Sequence, residues 1–82
     1  MKKVMIYSTP TCGFCSMAKE FFKENKVEYE DVDVSQDQDK AREMIAKSGQ
    51  MGVPVIAVSS LGGKEEVVIG FDKERLAGIL GL

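Results

Sequence analysis

Two cysteines stand three positions apart, Cys12-Gly13-Phe14-Cys15, and they are the only cysteines in 82 residues. A thiolate attacks disulfides, and a nearby second thiol can resolve the mixed disulfide so formed, which makes this spacing suited to thiol–disulfide exchange. The chain contains no histidine. Cys-His hydrolase chemistry is thereby excluded within one chain, and a thiol must be activated by helix, backbone and burial. An inert pair in a core and a zinc site are the other readings, although a structural zinc takes four ligands and the chain offers two cysteines. The pair closes too small a loop to be a useful cross-link and is too few for a secreted disulfide scaffold.

Cysteines three apart within a regular helix hold their Cβ atoms about 5–6 Å apart, whereas a disulfide needs about 3.5–4.5 Å. Cys12 is therefore expected at a helix mouth, outside regular geometry, as the exposed nucleophile, with Cys15 in the first turn as the buried resolving thiol. At such a mouth the unpaired N–H groups and the positive end of the macrodipole favour the thiolate. No charged side chain from Val4 to Ala18 opposes this. Phe14, held between the cysteines, cannot bury at a loop tip and reads as a platform for substrate.

The elements that must position this pair follow from periodicity. Lys3 to Ser8 is a short, apolar run fit for a central strand. From Phe14 to about Asn25, Phe14, Met17, Ala18, Phe21 and Phe22 recur at helical spacing, with Lys19, Glu20, Lys23 and Glu24 on the other face. Val27 to Val34 changes parity midway, which predicts a strand with a register break near Glu30-Asp31. Ser35 and Gln38 have capping-box spacing before a helix over about 36–48, closed by Gly49. Val55–Val58 and Glu66–Ile69 flank Gly62-Gly63 and predict an antiparallel hairpin opened by Pro54. Asp72 is placed to cap a last helix bearing Leu76, Ile79 and Leu80. The order is βαβαββα: an α/β domain of about 12 Å radius of gyration, with a mixed four-stranded sheet and three helices.

Length and charge bound the rest. Residues 1–82 make one domain. A net charge of −2 without like-charge blocks supplies no field for nucleic acid or an anionic membrane. The apolar run after Lys3 ends at Ser8-Thr9-Pro10, too short for a signal peptide, so the protein is expected in the cytoplasm. The five methionines read as core filling, Met5, Met17 and Met44 among them, while Met51, Gln50 and Lys47 are candidates for contacts beside the cysteines.

Three segments in order, Tyr7-Ser8-Thr9-Pro10-Thr11-Cys12-Gly13-Phe14-Cys15, Gly52-Val53-Pro54 and Gly70-Phe71-Asp72, make the chain resemble the glutaredoxin-like redoxins along essentially its whole length. The resemblance implies a thioredoxin-like, glutaredoxin-type fold, with Cys12 as nucleophile and Cys15 as resolver of disulfide exchange. It implies a cis Pro54 beside the disulfide. It further implies substrate or glutathione contacts at Thr11, Phe14, Val53, Pro54, Gly70, Phe71 and Asp72, with no metal and no bound cofactor. Val53 offers backbone groups to a substrate strand, and Gly70 to Asp72 would hold the γ-glutamyl end of glutathione at the last helix.

Departures bear on the subtype. Dithiol glutaredoxins usually carry Pro-Tyr between the cysteines and a lysine three residues before the first, where this chain has Gly13-Phe14 and Thr9. Gly70-Phe71 is more similar to the redoxins that serve ribonucleotide reductase and are reduced by thioredoxin reductase. The implied partners are disulfide substrates, ribonucleotide reductase among the candidates, with glutathione or thioredoxin reductase as electron donor to a monomer. Gly-Phe between the cysteines also resembles the monothiol glutaredoxins that bridge a [2Fe–2S] cluster in a dimer, and Cys15 argues against that class.

Overall fold

The computed structural model describes residues 3–50, 52–60, 63 and 65–82. Its elements run β1 (Lys3–Ser8), α1 (Gly13–Glu24), β2 (Tyr29–Asp33), α2 (Gln38–Ser48), β3 (Val55–Ser59), β4 (Glu65–Ile69) and α3 (Lys73–Leu80). The sheet order is β2-β1-β3-β4. β1 pairs with β2 in parallel and with β3 antiparallel, and β3 and β4 form the antiparallel hairpin. The expected mixed sheet and three helices are present, and the radius of gyration is 11.8 Å.

The two central strands alternate between two cores because both of their faces are covered. Val4 and Ile6 of β1 and Ile56 and Val58 of β3 meet Ala18, Phe21 and Phe22 of α1 and Leu76 of α3. On the opposite face Tyr7, Val55 and Ala57 pack on Met44 of α2. At about 25 cal/mol per Å² of apolar surface, such burial is the main force holding α1 against the sheet.

Four expectations need correction. β2 runs unbroken from Tyr29 to Asp33 in one parallel register, Val4↔Tyr29 through Ser8↔Asp33. The parity change reflects two covered faces: Tyr29 packs on the α1 side, Val32 and Val34 on the α2 side. Val27 is outside the strand; its N–H closes α1 onto Phe22 O (2.8 Å), with Lys26 at φ 56°. The N-cap of α2 is Asp37, which accepts from Lys40 N. Ser35 is occupied instead by Asp33, whose Oδ1 accepts from both its amide and its hydroxyl, an Asx-type turn that outcompetes the capping box. Met17 is half exposed and outside the core. In α2, Met44 is buried and Ile45 is exposed.

The remaining element limits agree within a residue or two. Gly62 of the hairpin turn and Met51 lie outside the described residues. No helix among the described residues is long and apolar enough to cross a membrane.

Candidate functional site

β1 delivers the chain to a turn, Cys12 N–H donating to Thr9 O (3.3 Å), and α1 starts at once. Cys12 is its N-cap, in extended geometry at φ −88° and ψ 110°, and its Sγ accepts from Cys15 N–H at 3.1 Å. A sulfur there occupies the position that Ser or Asp takes in other helices, so the donor that caps the helix is directed at the Cys12 sulfur. Cys12 and Cys15 are joined as a disulfide with Cα atoms 5.2 Å apart. Cys15 is 1% exposed, whereas Cys12 is partly open to solvent. The cysteine at the helix mouth is the accessible one and the cysteine in the first turn is covered, as their spacing predicts.

Beside the pair lies a groove of about 510 Å³. Phe14, Val53, Pro54, Gly70, Phe71 and Asp72, six of the seven positions expected to contact substrate, line it together. Thr11 is exposed in the turn before α1 and is not among the lining residues. Sequence reasoning missed Ile69, Lys73 and Glu74, which also line the groove. The available signal was adjacency: Ile69 and Lys73 directly flank the Gly70-Phe71-Asp72 segment, and Glu74 follows Lys73.

Backbone bonds hold the groove's floor. The Val53-Pro54 peptide is cis, and Pro54 O accepts from Gly70 N–H at 2.8 Å, tying the entry of β3 to the exit of β4. Gly70 makes that exit at φ 78°, a left-handed conformation that a side chain would strain. Phe71 packs edge-on to Phe21 at 5.9 Å, which anchors the groove wall to α1. Asp72 caps α3 through Arg75 N–H at 3.1 Å.

Two polar clusters flank the site's supporting strand. At the end of β1, buried Ser8 donates to Asp31 Oδ1 at 2.7 Å, and Lys19 of α1 meets Asp31 Oδ2 at 2.7 Å. Burial draws the Asp31 carboxyl upward, but the Lys19 ammonium and the Ser8 hydroxyl outweigh it and leave it below the usual carboxylate range. On the other face Tyr7 donates to Glu43 Oε2 at 2.6 Å, which lowers the Glu43 carboxyl despite some burial. Burial, then Glu43, pushes the Tyr7 hydroxyl up. Lys47 is drawn onto Glu65 (3.0 Å) and stands 5.8 Å over the Tyr7 ring. The ammonium expected beside the cysteines is therefore engaged by β4. Gln50 is held by Ser48, whose hydroxyl accepts from its amide.

Comparison with known proteins follows the same outline. The glutaredoxin family model matches residues 4–61. The chain is 37% identical over 73 residues to a glutaredoxin-like 8.6 kDa protein in the rubredoxin operon of Clostridium pasteurianum, covering 89% of this chain and 91% of that one. It is 30% identical over 69 residues to glutaredoxin 3 of Escherichia coli, covering 82% and 83% of the two chains. The crystal structure of the thioredoxin-like protein BC3987 superposes with a TM-score of 0.77 at 32% identity, covering 93% of this chain and 97% of that one.

Proposed function

The chain belongs to the glutaredoxin family and is a redox protein with a CxxC disulfide, and from that premise we propose that it reduces protein or glutathione-mixed disulfides by dithiol exchange. The Cys12 thiolate attacks one sulfur of the substrate disulfide, forming a mixed disulfide and releasing the other sulfur as a thiolate. Cys15 then loses its proton and attacks Cys12 Sγ. The second substrate thiol departs, and the Cys12–Cys15 disulfide closes. Two electrons have left the protein, and a donor of the same chemistry, glutathione or thioredoxin reductase, returns them. The protein acts as a monomeric cytoplasmic carrier without a bound cofactor, and ribonucleotide reductase is among its candidate substrates.

One observation carries this reading: Cys12 Sγ is the cap of α1, receiving the Cys15 N–H at 3.1 Å, while Cys15 is buried behind it. A thiolate formed there keeps that donor and gains the helix dipole, typically worth about 0.3–1 kcal/mol at an exposed terminus. Reduction of bis(2-hydroxyethyl) disulfide is the test, run in parallel with glutathione plus glutathione reductase and with NADPH plus thioredoxin reductase. Turnover with one donor and its loss in Cys12→Ser are expected, with Cys15→Ser accumulating the mixed disulfide. Activity retained in Cys12→Ser overturns the assignment.

A further inference from the structure

We infer that the groove beside Cys12 selects extended protein segments whose disulfide cysteine is flanked by a bulky apolar residue and a cationic one, in preference to glutathione; this rests on the redox reading above. The walls support the apolar half. Phe14 is 63% exposed and Ile69 49% exposed, and both line the same groove. Met17, one helical turn beyond Phe14 and 50% exposed, extends the apolar surface along α1. A monomer does not leave such side chains open beside its reactive sulfur without cost, and a partner side chain that covers two of them removes apolar surface from water on both sides.

Charge supports the second half. The positive end of α3 is already met by the chain's own carboxylates, Asp72 as cap and Glu74 in the first turn. Lys73 is the sole cation among the described residues lining the groove, and its ammonium stands 5.8 Å over the Phe21 ring. Two carboxylates against one ammonium leave the lining net negative. Glutathione brings two carboxylates and one ammonium, so it meets like charge at the rim, whereas a lysine or arginine beside the substrate cysteine meets opposite charge.

The test measures rates of reduction by the reduced protein of mixed disulfides, each made with 2-mercaptoethanol. The partners are capped peptides whose cysteine is flanked by Leu and Lys, by Ser and Lys, or by Leu and Glu, and glutathione itself. The Leu-Lys adduct is expected to react about tenfold faster than the glutathione adduct, the equivalent of roughly 1.4 kcal/mol. Ile69→Ala should bring the Leu-to-Ser ratio toward one, and Glu74→Gln the Lys-to-Glu ratio. Both positions are exposed, so folding is not at stake. A glutathione adduct reduced as fast as the Leu-Lys adduct, or ratios unmoved by these substitutions, overturns the inference while leaving the redox reading intact. Failure to reduce even bis(2-hydroxyethyl) disulfide overturns both.

Discussion

The two faces of the sheet are held by different physics. Under α1 and α3 lies a continuous apolar core, from Val4 and Ile6 through Phe21 and Phe22 to Leu76. Under α2 the buried set shrinks to Tyr7, Met44, Val55 and Ala57, and polar contacts between Tyr7, Glu43, Lys47 and Glu65 span the seam. The Cys12–Cys15 disulfide lies at the start of α1, on the first face. Both helix N-termini that border the site, at Cys12 and at Asp72, belong to helices seated on the larger core, and Phe71 joins the groove wall to Phe21. A dense apolar contact fixes position better than exposed ion pairs, which contribute little each and are screened by salt. The side that carries the two cysteines has the larger apolar core, with the Lys19–Asp31 pair partly exposed beside it.

Truncating Phe22, which is fully buried on the α1 side, is expected to have the largest effect. Phe22→Ala should cost about 3–5 kcal/mol in urea unfolding, a large part of the stability of so small a domain. A loss below about 1 kcal/mol would contradict the claim that this face carries the fold. On the α2 side, Tyr7→Phe keeps the ring and deletes the bond to Glu43, whose carboxylate is partly exposed and can be solvated. About 1 kcal/mol should be lost. If Tyr7→Phe proves as damaging as Phe22→Ala, the contrast between the faces fails.

The smallest effects are those of pH, and they separate the tyrosine–lysine pair of the α2 side from the carboxylates by sign. Tyr7 and Lys47 on the α2 side have folded pKa values raised above 10.0 and 10.5. Their contribution is complete below those unfolded values and is lost as pH rises through the folded ones. Asp31 on the α1 side, like Glu43 across the sheet, is lowered, from 3.8 and 4.5 respectively. Their contribution is complete above those values and disappears as pH falls through the lower folded ones. Urea midpoints should therefore decline above about pH 10 and below about pH 4. Tyr7→Phe should flatten the alkaline limb and Asp31→Asn the acid limb. An Asp31→Asn variant with an unchanged acid limb would remove the Lys19–Asp31–Ser8 cluster from this account.

Much of the site was legible because it is local. Cys12 and Cys15 are three residues apart, and the geometry of one helical turn decides which is outside. Asp72 caps α3 for the same reason, its partner Arg75 being three residues on. The misreadings arose where two local solutions competed or where a neighbour from elsewhere intervened. Ser35 could have capped α2, but Asp33 was two residues away and bound it first. Lys19 sat in a run of charges that reads as a solvated helix face, yet Asp31 on a parallel strand meets it at 2.7 Å.

What the sequence determined by itself was the chemistry and its polarity: two thiols at a strand-to-helix junction, one open and one covered, in a chain without a histidine base. Spacing along one chain is enough for that, because caps and first turns are set within four residues. The tertiary structure alone decided what surrounds the sulfur. Phe14, Val53, Ile69 and Glu74 are separated by up to sixty positions, and they become walls of one groove only because β3 pairs with both β1 and β4 and carries Pro54 alongside Gly70. Contacts between distant segments depend on strand order and register, which backbone pairing fixes and which no local pattern encodes.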